Sequence, residues 1–270
     1  MQRKIFIDSK EYLIEGDTHY LGAIQKHFEP ETIAIFKSFC QNNFQILDLG
    51  ANIGLTAIAL ANICTQGKVA AIEPMPPTFA MLKKNLLYSN MHNVKAYNFA
   101  VGNKEDTVIM QGSHSFLAGA FISNVHKNEA QDLSEKVPVK RLDDTFDLFD
   151  MDQVDFMKID VEGYELFALE GAKKILNRFK PIVYLEMNHW CLNVMQRITL
   201  PEFRERLLVF FPYVFAIEGS SYLDFTSASN FHYIAHEHLI KFKYLNLVAG
   251  FDKIKLLENL LKLQDQTARV

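Results

Sequence analysis

Two stretches of this 270-residue chain place polar residues where a buried sheet would rarely keep them. The first, Asp48-Leu-Gly50-Ala-Asn52-Ile-Gly54, joins an apolar run to a helical stretch. In an open α/β sheet, ligands sit beyond the carboxyl ends of the strands, beside helix N-termini. Gly50 and Gly54 would let the backbone turn sharply and approach a ligand, with Asn52 inside the turn. The spacing is Gly-x-x-x-Gly, not the Gly-x-Gly-x-x-Gly of dinucleotide sites. An acid at the strand end is awkward for a pyrophosphate but suits a cationic ligand. S-adenosylmethionine carries an ammonium, a sulfonium and no phosphate. A chance turn with Asp48 as a helix cap would give the same letters.

The next apolar run, Lys68–Ile72, ends in Glu73, 25 residues after Asp48. A carboxylate there can accept two hydrogen bonds from a ribose diol. It could instead cap the helix opened by Pro74, Pro76 or Pro77. The third run ends Asn98-Phe-Ala100-Val-Gly102. Asn98 could hydrogen-bond an adenine edge, with Ala100 leaving room for the ring, or Asn98 could simply end the strand.

The second polar stretch is Lys158-Ile-Asp160-Val-Glu162-Gly-Tyr-Glu165. Lys158 and Asp160 share a face by period-two alternation, and isolated buried charges are very costly. Either they form an internal ion pair, or Asp160 stands at the mouth of a site with Glu162 in the following loop. The fifth run ends Glu186-Met-Asn188-His189-Trp190. Asp160, Glu186 and Asn188 could together form an oxygen-rich site for a divalent metal, magnesium or manganese. His189 has a near-neutral reference pKa and could deprotonate an acceptor hydroxyl, or it could lie in an exposed loop. In Arg141-Leu-Asp143-Asp144, either acid could cap a short following helix.

The elements that must position these residues are short apolar runs alternating with helical stretches. The runs are 45–50, 68–73, 94–101, 154–161, 181–188 and 213–218, and the helical stretches are about 54–64, 76–90, 163–180 and 200–210. This order implies a parallel sheet covered on both faces. Phe231–His236 follows the sixth run without a helix between, so it is expected as an antiparallel strand. Connections 111–136 and 219–230 are long enough to be lids or binding loops. Residues 1–44 are expected as an extension packing on the core, with a helix opened by Pro30 and faced by Ile33, Phe36, Phe39 and Cys40. Residues 45–250 form the main domain. Residues 251–270 are expected as an amphipathic helix, packed on its own domain or making a homodimer contact.

Composition narrows the classes. Apolar residues make up 49% and charged residues 22%, as for a globular chain with a real core. A net charge of −4 gives no sign of a nucleic-acid binder. Three dispersed cysteines suggest reduced thiols, and the N-terminus lacks a signal-peptide core. A cytoplasmic protein with no membrane span is expected.

The runs Asp48–Gly54, Ala71–Pro74, Asn98–Gly102, Arg141–Asp144 and Lys158–Glu165 together resemble the FkbM family of class I S-adenosylmethionine-dependent methyltransferases, over about residues 45–190. The resemblance implies a doubly wound, Rossmann-like α/β fold with a mostly parallel seven-stranded sheet and one antiparallel strand. It also implies O-methylation of a hydroxyl on a sugar, glycan or polyketide-type natural product, so the partner would be a small-molecule or glycan acceptor. In that reading Asp48, Gly50, Asn52 and Gly54 hold the methionine part, Glu73 the ribose, and Asn98 and Ala100 border the adenine. Asp160, Glu162 or His189 would remove the acceptor proton. The competing readings are methylation of RNA or of a protein nitrogen, a nicotinamide-dependent oxidoreductase, and a non-catalytic nucleotide-binding module.

Overall fold

The computed structural model describes residues 1–113, 116–123 and 133–267. Strands β1 (Gln2–Ile7) and β2 (Lys10–Glu15) pair antiparallel. Their alternation turns Ile5, Ile7 and Ile14 inward, all fully buried. Helix α1 (Thr18–Ala23) starts at Asp17, whose carboxylate accepts the Tyr20 N–H at 2.7 Å. Helix α2 (Pro30–Phe39) buries Ile33, Phe36 and Phe39, with Cys40 buried just past its end.

The chain then alternates through β3 (Gln45–Leu49), α3 (Leu55–Ile63), β4 (Lys68–Ile72), α4 (Pro76–Tyr88) and β5 (Val94–Tyr97). The third run is not one strand. It breaks at Asn98, whose amide donates to the Glu73 and Pro74 carbonyls at 2.8 and 2.9 Å and fixes the corner. The continuation, β6 (Ala100–Val101), joins β7 (Asp106–Ser113), β8 (Phe116–Ile122) and β9 (Leu133–Lys140) in a separate four-stranded sheet ordered β6-β9-β7-β8. The connection expected at 111–136 is thus largely strand; residues 114–115 and 124–132 lie outside the described residues.

After α5 (Leu142–Thr145), the main sheet resumes with β10 (Phe156–Ile159). The helical stretch expected at 163–180 is two helices, α6 (Glu165–Glu170) and α7 (Lys173–Phe179). They part at Gly171, where a side chain would run into the Gly102 carbonyl. Asp143 caps α7 rather than its own helix, accepting the Lys174 and Ile175 N–H groups. Then follow β11 (Ile182–Glu186), α8 (His189–Gln196), α9 (Leu200–Phe210), β12 (Tyr213–Glu218) and β13 (Ser221–Asp224), the last lying in the expected 219–230 connection.

Phe231–His236 is not a strand. It lies within α10 (Ala228–Lys241), which buries Phe231, Ile234 and His238 at helical spacing and starts at Ser227, whose hydroxyl accepts the Asn230 N–H. The antiparallel strand is β14 (Asn246–Gly250), inserted between β11 and β12. Helix α11 (Lys253–Thr267) closes the chain and buries Leu256, Leu260 and Leu263 against its own domain.

The main sheet therefore has eight strands, ordered β13-β12-β14-β11-β10-β3-β4-β5. Without the edge strand β13 it is the expected seven-stranded sheet with one antiparallel member, β14. Strand alternation sends Leu47, Leu49, Met157, Ile159 and Val183 into one core and Ile46, Val69, Phe156, Ile182 and Val248 into the other. The N-terminal segment roofs the second face. That face decides where the site lies, because Asp48, Glu73, Lys158, Glu186 and Asn246 all share its parity. Among the described residues no helix is long and apolar enough to cross a membrane.

Candidate active site

A cavity of about 340 Å³ opens at the carboxyl ends of β3, β4, β10 and β11. Its floor is the turn after β3, and its geometry follows from close backbone approach. Gly50 has φ +74°, and a Cβ there would overlap the Asp160 carbonyl. Gly54, with φ +99°, opens α3 without lining the cavity, and a Cβ there would press on Leu82. Asn52, with φ +48°, is a lining residue that holds the turn through its side-chain oxygen and the Ile53 N–H.

Glu73 is buried and lines the cavity. One of its oxygens accepts the Asn52 N–H at 3.0 Å and the other the Met75 N–H at 2.9 Å. Each oxygen keeps acceptor capacity for a further donor. Burial pushes its carboxyl up to about 7, opposed by these two N–H groups. Ala100, beside Phe99, lines the far wall. Asn98 does not line it, because both its donors brace the β4 end as described.

Asp48 is not a cavity residue either. It lies fully buried behind the floor, in register with Lys158 on the neighbouring strand. The Lys158 ammonium stands 3.4 Å from Asp48, 3.3 Å from Asp160 and 2.8 Å from the Gly50 carbonyl. Thr56 donates to the other Asp48 oxygen at 2.8 Å. Burial raises Asp48, and Lys158 opposes it. Burial also works against the Lys158 charge, but Asp160 and Asp48 outweigh it and hold the lysine above its ordinary value. The internal ion pair and the placement of Asp160 at the mouth thus coexist, since Asp160 lines the cavity with its side chain 40% exposed.

Glu162 and Glu186 line the same wall. Glu162 takes φ +52°, an uncommon conformation for a non-glycine residue, and accepts the Cys191 thiol at 3.1 Å. Burial and the nearby Asp160 charge push its carboxyl up to about 7. Glu186 is held above the usual carboxyl range by burial and then by Asp160, and its Oε2 is buried without a hydrogen-bond partner. The loop that carries Glu162 is held from below by Glu165, which accepts the Val161 and Gly163 N–H groups.

The expected metal trio is not brought together. Asn188 caps α8, its side-chain oxygen accepting the Trp190 and Cys191 N–H groups, and it does not line the cavity. Among the described residues no group of three or more His, Cys, Asp or Glu side chains is arranged to hold a metal ion. His189 is also outside the cavity. It opens α8, and its ring packs 4.9 Å from His238 and 5.1 Å from Phe242.

The Methyltransferase FkbM domain matches residues 48–210, more than half of the chain. The chain belongs to this family. The FkbM match runs from β3 to the end of α9 and so takes in Glu73, Asp160, Glu162 and Glu186. Among relatives, Methyltransferase 1 of Beauveria bassiana is 28% identical over 142 residues, 47% of this chain and 57% of that protein. Methyltransferase sdnD of Sordaria araneosa is 26% identical over 195 residues, 59% of this chain and 75% of that one. The chain thus spans little more than half of the first relative. A solved FkbM methyltransferase from Methylobacillus flagellatus aligns at 20% identity with a TM-score of 0.46, over 65% of this chain and 40% of that one.

One wall of the cavity has no counterpart among the residues that the sequence pattern singles out. Tyr20, Phe28, Glu29 and Thr32 of the N-terminal segment line the cavity, as does Asn246 of β14, which accepts the Tyr184 hydroxyl at 2.8 Å. Glu29 sits at φ +29° just before Pro30. An acid ahead of a helix-opening proline was the one local signal, and it reads equally well as an ordinary helix start.

Proposed function

We propose that this FkbM methyltransferase is an O-methyltransferase that uses S-adenosylmethionine and acts on a hydroxyl of a sugar-, glycan- or polyketide-type acceptor. The observation that carries the reading is the Glu73 carboxylate, fixed by two backbone N–H groups at one end of a cavity whose other end holds Asp160, Glu162 and Glu186. The residues present fit the cofactor. Glu73 would accept the ribose hydroxyls, the Gly50–Asn52 backbone would face the methionine part, and Phe99 and Ala100 would border the adenine. Asp48 would act from behind, through Lys158 and Thr56. When bound, S-adenosylmethionine supplies an electrophilic methyl group.

The chain's own task is to position the acceptor oxygen and take its proton. Glu162 suits that task, because a base with a pKa near the working pH is the most effective. Lys158 holds Asp160 beside it. His189, facing away, takes no part in the step. The test is transfer of labelled methyl from S-adenosylmethionine to a panel of hydroxylated sugars and phenols, with the product bond assigned by mass spectrometry. Label on oxygen supports the reading, whereas label confined to nitrogen or carbon overturns it.

A further inference from the structure

The acceptor half of the cavity has a charge problem that the cofactor does not solve. Among the described residues, five acidic side chains line the cavity, Glu29, Glu73, Asp160, Glu162 and Glu186, against one basic one, Lys158; burial holds four of them, all but Asp160, above the usual carboxyl range. Lys158 is already shared among Asp48, Asp160 and the Gly50 carbonyl. S-adenosylmethionine brings one net positive charge, which leaves an excess of acidic groups on the wall away from Glu73 that a second cation would let ionise. The surplus centres on Glu162 and Glu186, which stand within electrostatic reach of each other and of Asp160.

Glu186 is the second observation. Its Oε2 is buried at the cavity wall and unpartnered, although nearly every buried polar atom of a native protein is paired. Glu186 as a whole is half-buried, so a ligand can reach it from the cavity, and a cationic ligand would both pair Oε2 and offset the cost of ionising the carboxyl there. The surrounding groups also suit a ligand with donors on one side and an apolar body. The Tyr184 hydroxyl is turned to Asn246, and Phe28 closes the roof.

We infer that the acceptor carries a protonated amine close to the group it offers for methylation, and that Glu186, with Glu162, recognises that amine. The inference rests on the methyltransferase reading for its idea of an acceptor. It narrows the substrate class to amino sugars, amino alcohols and aminated natural products, and it excludes phosphorylated or carboxylated acceptors, which the same wall would repel. Specificity then comes from charge: a neutral isostere would leave Glu186 unpaired.

The experiment uses matched probes on the full chain: glucosamine against glucose and N-acetylglucosamine, tyramine against 4-hydroxyphenylethanol, and glucose 6-phosphate. Binding is measured by calorimetry with and without S-adenosylhomocysteine, and that compound's own binding is measured first. Failure of S-adenosylhomocysteine to bind counts against the methyltransferase reading, whereas the amine comparison stands by itself. In at least one pair the amine should bind about 10- to 100-fold tighter than its neutral partner, the range of a charge-assisted hydrogen bond. Glu186→Gln should remove most of that preference, and thermal melting shows whether the variant folds. Should it unfold, Glu162→Gln and the wild-type comparison at pH 5 and pH 8 of the tyramine pair, whose alkylamine stays protonated at both values, carry the test, with the preference expected to grow with pH. Equal or tighter binding of the neutral or phosphorylated probes overturns the inference. So does failure of every amine to bind at 10 mM, survival of the full preference in Glu186→Gln, or binding of magnesium alone that displaces the amines.

Discussion

Replacing Lys158 by methionine keeps most of the side-chain volume and removes the charge that ties the floor of the site together. Lys158 is 2% exposed and Asp48 is fully buried, so the variant leaves an uncompensated carboxylate inside the sheet. Removing one partner of a buried pair typically costs about 3–5 kcal/mol. The Asp160 share adds little, because that side chain is 40% exposed and solvent screens it. Against a total stability of about 5–15 kcal/mol this is a large fraction. Urea unfolding, with a slope of roughly 2–3 kcal/mol per molar, should show the midpoint falling by about 1–2 M. The loss must also depend on pH. Asp48 already sits above its usual range through burial, and Lys158→Met removes the charge that opposed this. A carboxyl raised in the folded state gives up stability as pH rises through its folded value, so the deficit should be smaller at pH 5 than at pH 8. The double variant Asp48→Asn/Lys158→Met should recover most of the loss, because neither buried charge remains. A single variant that costs under about 1 kcal/mol, or a double variant no better than the single, would refute the coupling of Asp48 and Lys158.

Glu73→Gln should weaken binding of S-adenosylhomocysteine by about 1–3 kcal/mol, the worth of hydrogen bonds to a charged group, measured by calorimetry on folded protein. Unchanged affinity would return Glu73 to bracing the Asn52–Met75 turn. His189→Ala should leave the methyl-transfer rate nearly unchanged, far from the roughly 10²–10⁴-fold loss that follows removal of a general base. A loss of that size would bring His189 back into the site. Stability should fall as pH rises from about 5 to 8. Glu73 and Glu162 hold their protons to about 7 and Glu165 to about 8, while the unfolded carboxyls lose theirs near 4.5. The folded chain thus binds more protons across that window. A melting temperature that climbs through the window would contradict these burial assignments.

The sheet was legible because its strands are short apolar runs, and the strand-end acids because charge in such a run is costly. Asp160 could be singled out on that ground, and Glu73, Glu162 and Glu186 by their places at or just past strand ends; all four line one cavity. The roles of Asp48 and Asn98 were not legible. Both lie at strand ends, yet the cross-strand register turns Asp48 to Lys158, and a backbone corner takes up Asn98. Helix α10 was misread because Phe231–His236 is short enough to fit either period, whereas the buried positions extend at helical spacing to His238. Tyr20, Glu29 and Thr32 reach the cavity through tertiary packing of a hairpin and two helices over the sheet face. No spacing in their own segment encodes that contact.

Calorimetry on the folded chain reads directly whether the cavity lined by Glu73 and Glu186 binds S-adenosylmethionine. S-adenosylmethionine and S-adenosylhomocysteine should each bind one-to-one and raise the melting temperature, and NAD or ATP should have no comparable effect. Binding of NAD in their place, or affinity for S-adenosylhomocysteine that Glu73→Gln and Gly50→Val both leave intact, would contradict this expectation.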